Sequence, residues 1–312
     1  MPIAGKKWHF TPQFNTRMSA SARFFHKTRI APTPSGYLHL GNVYSFAITA
    51  ALAKKYGAQV LLRIDDLDRE RVQPAYVQDV FDTLQFLGIP WHEGPRNYTE
   101  FEQQYAQQHR MQLYAQALDQ LKRSGAVFAC NCSRAQVLQQ SPSGVYPGTC
   151  LYKQLPFDGD DVCWRLDTHA DGLLCVKELS GKVIQATLPQ SMRYFVVRKK
   201  DTYPAYQLAS VIDDLHWGVD LVVRGSDLRD STLAQQYLAK KLELPAFSDI
   251  VFYHHPLMTD GDKQKLSKSE GATSVQYLRR QGKTAADIYA MTGEMAGLKT
   301  LATSWEDFVP VP

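Results

Sequence analysis

Between Thr28 and Ile64 the chain runs strand, breaker-rich loop, apolar helix, strand, and that order leaves few folds open. Thr28 to Ile30 is a short strand. Ala31-Pro32-Thr33-Pro34-Ser35-Gly36 cannot extend it, because two prolines lack backbone donors and Gly36 frees the chain to turn. A helix is predicted over His39 to Tyr56, stopping at Gly57, and Val60 to Ile64 is apolar enough for a buried strand. Strands joined by a helix are parallel neighbours, so the expected class is α/β with a Rossmann-like parallel-sheet catalytic domain. The loop after the first strand then sits where open α/β sheets bind ligands.

Ile30 to Ala53 contains no Asp, Glu, Lys or Arg, yet only Val43 to Ala53 is continuously apolar. That is too short to cross a bilayer, and a soluble, cytoplasmic, monomeric protein is expected. With 312 residues, 44% of them hydrophobic, the chain can bury more than one core. A net charge of +4 permits a polyanionic partner without requiring one. Residues 1–28 are basic and acid-free, the flavour of an organellar transit peptide or of a disordered extension, with Met18 an alternative start.

The pattern divides the chain into an N-terminal extension (1–26), a first catalytic half (27–104), an inserted mixed α/β subdomain (105–195), a second catalytic half (196–257) and a C-terminal stretch (258–312). Thr99-Glu100-Phe101-Glu102 has the form of a capping box, opening a helix that carries Phe101, Tyr105, Met111, Tyr114, Leu118 and Leu121 to Gly125. Val219 to Val223 reads as a strand, with Asp230-Ser231 capping the helix after it. Val275 to Tyr289 has room for one or two helices.

Two separated segments suit a nucleoside triphosphate. His39-Leu40-Gly41-Asn42 stands at a helix start, where free N–H groups and the dipole favour phosphate, and Gly36 and Gly41 allow close approach of a nucleotide. Lys265-Leu266-Ser267-Lys268-Ser269 offers two ammonium groups on a glycine-flanked loop that can close over departing pyrophosphate. Each is common alone; together on a βαβ frame they are specific. A third constellation is Cys130-Asn131-Cys132 with Tyr146-Pro147-Gly148-Thr149-Cys150. Three thiolates with Tyr146 as fourth ligand could bind zinc, or the thiols could be free and buried; Cys163 and Cys175 are expected to be packing residues.

The first two segments, with Arg29-Ile30-Ala31-Pro32-Thr33-Pro34-Ser35-Gly36, resemble the HIGH and KMSKS signatures of class I aminoacyl-tRNA synthetases, in the glutamyl branch. The resemblance covers roughly Thr28 to Thr273. It implies that His39 and Lys268 assist attack of an amino acid carboxylate on ATP. Gly36, His39, Gly41, Asn42, Lys265 and Lys268 would then hold the nucleotide, with magnesium on its phosphates. Glutamate carries two carboxylates and an ammonium. Arg29 and Arg224 suit the carboxylates, Asp65 the ammonium and Tyr206 a hydroxyl hydrogen bond, and these match the family's glutamate positions together with Ile30, Ala31, Pro32 and Thr33. One residue departs: the glutamyl pattern has Glu where this chain has Asp65, which draws the carboxylate back by about 1.5 Å.

The cysteine spacing is similar to that of the glutamyl-Q tRNA(Asp) synthetase family, which implies a structural zinc on Cys130, Cys132, Tyr146 and Cys150. Forty-three residues after Ser269 are too few for a helical anticodon-binding domain, which points to the same branch. The resemblance implies a ligase that makes glutamyl-adenylate and passes glutamate to queuosine in the anticodon loop of tRNA(Asp), with Tyr37 or Trp217 among the aromatics available for base stacking. The alternatives are a shortened glutamyl- or glutaminyl-tRNA synthetase charging a 3′ end, and a non-catalytic zinc-bearing RNA-binding protein.

Overall fold

The computed structural model describes residues 23–170, 172–258 and 274–310. Its strands are β1 (Lys27–Ile30), β2 (Gln59–Leu62), β3 (Val127–Cys130), β4 (Cys163–Leu166), β5 (Leu174–Glu178), β6 (Val183–Ala186), β7 (Val196–Arg198), β8 (Leu221–Gly225) and β9 (Val251–His255). The main sheet has the order β2-β1-β8-β9-β5-β6, parallel except for the edge strand β6. The smaller sheet, β3-β4-β7, is antiparallel. The α/β architecture is therefore the expected one.

The helix Leu40–Tyr56 explains the charge-free run. It lies on β1, β2 and β8 and is covered on its other side by the helix Ala285–Met295 and the turn Trp305–Phe308. A helix enclosed on all sides has no use for a polar face. Gly57 ends it at φ 72°, a left-handed conformation that costs glycine little.

The segment expected as an insertion serves both sheets. β3 and β4 join β7 and carry the cysteine loops, whereas the β5–β6 hairpin extends the main sheet, with β5 parallel to β9. β5 buries Leu174 and Val176 and turns Cys175 outward. Cys175 is thus an exposed thiol and not a packing residue; Cys163, on β4, is buried as expected.

Two helix starts differ from expectation. Asn97, and not Thr99, caps the turn Tyr98–Glu100 by accepting from the Glu100 N–H at 2.9 Å. The predicted long helix then breaks at Ala106, whose ψ is 143°, and resumes as Met111–Arg123. The break has a cause: the Gln107 N–H is drawn away to Asp66 Oδ1 at 2.8 Å, outside any helical ladder. Asp230-Ser231 does not cap the next helix, because a turn over Ser226–Leu228 already leads into Arg229–Lys241. Helices Val275–Arg280 and Ala285–Met295 fill the expected C-terminal stretch. Among the described residues no helix is long and apolar enough to cross a membrane.

Candidate active site

The site forms where β1, β2 and β8 end. Hydrogen bonding between the first two strands continues past their formal limits, the Arg63 N–H donating to the Ile30 carbonyl and the Asp65 N–H to that of Pro32, both at 2.9 Å. This zipped loop carries Thr33 and Asp65 to one rim. Arg29, Ile30, Ala31, Pro32, Thr33, Asp65, Tyr206 and Arg224 all line one cavity of about 210 Å3. A second cavity, of about 200 Å3, contains His39, Gly41 and Asn42 and meets the first at Asn42, Ser45 and Gly225. Gly36 lines the first. Lys265 and Lys268 lie outside the described residues.

His39 caps the Leu40–Tyr56 helix. Its Nδ1 accepts from the Gly41 N–H at 3.1 Å, and its own N–H donates to Asn42 Oδ1 at 3.0 Å. With Nδ1 accepting, the proton of the neutral ring sits on Nε2 as a donor. A Cβ at position 41 would lie 2.9 Å from His39 Cε1, so a larger residue there would push the imidazole out of its cap.

Behind the first cavity lies an ionic network. Asp214 Oδ1 accepts from Arg29 Nε at 3.1 Å and from Arg63 Nη1 at 2.7 Å. Arg63 grips Asp65 as a fork, at 2.7 and 3.0 Å. Next to them Asp213 holds Arg110, Gln107 and the Tyr114 hydroxyl. Burial works against ionisation of Asp213, but Arg63 and Arg110 hold its pKa below the usual carboxylate range. Arg224 is 4% exposed; its Nη2 donates to Thr232 and Gln235, at 2.6 and 2.9 Å. Its Nε and Nη1 have no hydrogen-bond partner, and burial, with Arg29 nearby, lowers its pKa. Arg29, Arg63, Arg224 and Asp65 line the cavity, with Asp214 bonded behind Arg29 and Arg63, so three guanidinium groups face two carboxylates and the wall carries one positive charge in excess.

In the smaller sheet, the Sγ atoms of Cys130, Cys132 and Cys150 all lie within 4.8 Å of one another. The Tyr146 hydroxyl is 3.3 Å from Cys130 Sγ and accepts from the Cys150 N–H at 2.8 Å. Sulfurs bound to one tetrahedral zinc sit about 3.8 Å apart, so this donor set fits such an ion. The Cys163 thiol, directed at Cys130, brings the Cys130 thiol down to about 4. The single Cys163 thiol proton is shared with the Cys130 carbonyl, whose oxygen lies 3.3 Å from Cys163 Sγ.

The family model for the catalytic domain of class I tRNA synthetases (E and Q) matches residues 26–292. The chain belongs to that family. Membership makes it a synthetase-type ligase, in agreement with its sequence motifs. It is 33% identical over 303 residues to the glutamyl-Q tRNA(Asp) synthetase of Nitratidesulfovibrio vulgaris strain Hildenborough, covering 90% of this chain and 88% of that one. With its counterpart in Nocardia farcinica identity is 35% over 281 residues, covering 86% and 84%. Among solved structures, the glutamate-tRNA synthetase of Elizabethkingia anophelis superposes with a TM-score of 0.70 over 91% of this chain at 20% identity, which shows a shared fold. This chain spans 65% of the length of that one.

Sequence reasoning passed over Asp213 and Asp214. Adjacent acids on a helix that also buries Leu208, Ala209 and Val211 were a usable signal, since carboxylates enter an apolar face only when paired. Trp217, considered for base stacking, is stacked on Tyr105 at 6.0 Å, while Tyr37 lines the first cavity.

Proposed function

We propose that this chain activates L-glutamate with ATP and transfers it to queuosine of tRNA(Asp). One observation carries the reading: a cavity walled by a surplus guanidinium charge, with two unpartnered nitrogens on Arg224, opens onto a second cavity at a helix start. A buried positive excess calls for an anion, and a dicarboxylic amino acid brings two. Arg29 and Arg224 take the carboxylates and Tyr206 gives a hydroxyl hydrogen bond, while Ile30, Ala31, Pro32 and Thr33 shape the wall. Asp65 meets the ammonium with the lone pairs its fork to Arg63 leaves over.

ATP occupies the second cavity with magnesium on its phosphates. Gly41 and Asn42 admit it, Gly36 leaves room on the adjoining side of the first cavity, His39 donates from Nε2, and Lys265 and Lys268 supply positive charge. An oxygen of the glutamate α-carboxylate attacks the α-phosphorus, and the bond to pyrophosphate breaks with its electron pair on the departing group. A queuosine hydroxyl then attacks the acyl carbon; the acyl–phosphate bond breaks, and AMP leaves as the hydroxyl proton passes to its phosphate. Zinc on Cys130, Cys132, Tyr146 and Cys150 would hold the smaller sheet in shape.

The test is glutamate-dependent ATP–pyrophosphate exchange, followed by labelled glutamate offered to queuosine-containing tRNA(Asp) and to tRNA(Glu). Exchange is expected, with Lys268→Ala lowering it strongly, and label is expected on tRNA(Asp) alone. Label on tRNA(Glu) would show 3′-end charging instead; no exchange at all would leave only an RNA-binding role.

A further inference from the structure

Among the described residues, every hydrogen-bond partner of Arg224 is uncharged. Its strand, β8, pairs with β9 so that Arg224 stands opposite His254, and the Phe252 ring lies 5.0 Å from the guanidinium. The helix Arg229–Lys241 adds Thr232 and Gln235, which share one face and are 1% and 0% exposed. Thr232 Oγ1 lies 2.6 Å from Arg224 Nη2, 3.1 Å from the Leu228 carbonyl and 2.7 Å from His254 Nε2. A hydroxyl has one proton, and the carbonyl can only accept it, so His254 donates from Nε2. His254 Nδ1 has no partner, and burial beside Arg224 and Arg229 keeps a second proton off the ring. Thr232, Gln235 and His254 thus form a neutral cradle.

Gln235 shows what the cradle is for. Arginine only donates, so the amide turns Oε1 to Nη2, and its Nε2 is left buried with no partner. A carboxylate at this position would pair with the guanidinium and leave no donor orphaned, so the fold carries an unpaired N–H where an acid would be satisfied. We propose that Gln235, backed by Thr232 and His254, is the positioning residue that makes the pocket choose a carboxylate over its amide. By holding Arg224 without neutralising it, the cradle reserves that charge for the side-chain carboxylate of the substrate. The inference rests on the amino acid pocket proposed above and adds what sets its selectivity. Arg29 is unsuited to the role, because Asp214 already shares its charge. The two substrate carboxylates also differ in need. The α-carboxylate gives up its charge on becoming an acyl phosphate, whereas the side chain stays ionised through both steps. An amide there would turn N–H donors toward a guanidinium that only donates and would leave the buried charge unpaired.

Gln235→Glu and Gln235→Met separate charge from shape. L-glutamate and L-glutamine are titrated calorimetrically into the unaltered protein and each variant, and melting temperatures are recorded. Gln235→Glu gives the wall as many carboxylates as guanidinium groups. Its Kd for glutamate should rise roughly thirtyfold, while that for glutamine changes by less than about threefold. Its melting temperature should match or exceed that of the unaltered protein, since a buried charge gains a partner. Gln235→Met removes the hydrogen bond and adds no charge, so the preference for glutamate should persist to within about threefold while both amino acids bind more weakly. An unchanged preference in Gln235→Glu overturns the assignment. So does an equal loss of preference in Gln235→Met, which would make geometry the determinant, and so does a lowered melting temperature in Gln235→Glu, which would show that the amide serves the fold. Glutamate-dependent ATP–pyrophosphate exchange is read separately. Selective binding without exchange would defeat the activation reading and leave the selectivity assignment standing, and a protein that binds neither amino acid defeats both.

Discussion

Arg29 and Arg224 are one residue type put to two uses in one wall. Arg29 is held in plane by Asp214 and by the Val223 carbonyl, which accepts from its Nη1 at 3.1 Å. Arg224 is held only through Nη2, by neutral side chains, so its charge has no carboxylate in hydrogen-bond contact. Arg224→Lys keeps the charge but loses the fork that binds a carboxylate through two parallel bonds. It should lower kcat/KM for glutamate in pyrophosphate exchange by about a hundredfold, or about 2.7 kcal/mol. A change below threefold would take Arg224 out of the amino acid pocket. His254 offers a pH test. Burial, with Arg224 and Arg229 adding repulsion, depresses its pKa from 6.5 to about 3. Above pH 6.5 neither the folded nor the unfolded chain protonates it, and its neutral form contributes fully. Below, the unfolded chain takes up a proton that the folded one refuses, so stability falls with pH, by at most about 1.4 kcal/mol per unit. Melting of the unaltered protein and His254→Asn at about pH 7.5 and 5.5 should show the unaltered protein losing about 3 °C more. Parallel losses would mean that His254 is protonated in the fold.

At the level of elements, the helix Leu40–Tyr56 does two jobs. Its body is buried on all sides, and its first turn builds a wall of the nucleotide cavity through His39, Gly41 and Asn42. The end of the helix fixes its register. Gly57 has φ 72°, and a Cβ there would lie 2.6 Å from the Phe24 ring. Gly57→Ala should therefore cost about 1–2 kcal/mol in urea unfolding, with little change in the substrate KM values, since the strain sits at the far end from the cavity. A neutral result would mean that the chain ends this helix another way. The interrupted helix before Arg123 makes the opposite point. Continuous apolar spacing predicts one rod from the Thr99 capping box to Gly125, but the fold breaks it to bring Gln107 and Arg110 onto Asp66 and Asp213. Spacing reports which side chains are buried; it does not report a backbone donor claimed by a residue 41 positions away.

Taken whole, the molecule separates chemistry from scaffolding. The two cavities of the site lie around the carboxyl ends of β1, β2 and β8, and the cysteine cluster lies on the smaller sheet. Chelation should remove about one equivalent of zinc and loosen the smaller sheet, seen as a change in near-ultraviolet circular dichroism. Transfer to tRNA should suffer more than pyrophosphate exchange. Protein that is metal-free as purified and equally stable would rule out a zinc role for these thiols. Much of this plan was legible beforehand. The βαβ unit, the cavity-lining loop from Arg29 to Thr33 and the cysteine spacing are local, so neighbours in the chain remain neighbours in space. The Arg63–Asp214 and Arg110–Asp213 pairs span 151 and 103 residues, and no local pattern announces a pair so far apart. The β5–β6 hairpin was hidden for a related reason: its place beside β9 depends on which sheet edge stays open once the parallel core has formed. The order of amino acids thus determined the α/β class, the family and the residues at the loop ends, because periodicity and capping act over a few positions. Only the tertiary structure decided which charges neutralise each other, which arginine is left in surplus and how the two cavities join, because burial and Coulomb attraction act across space without regard to distance along the chain.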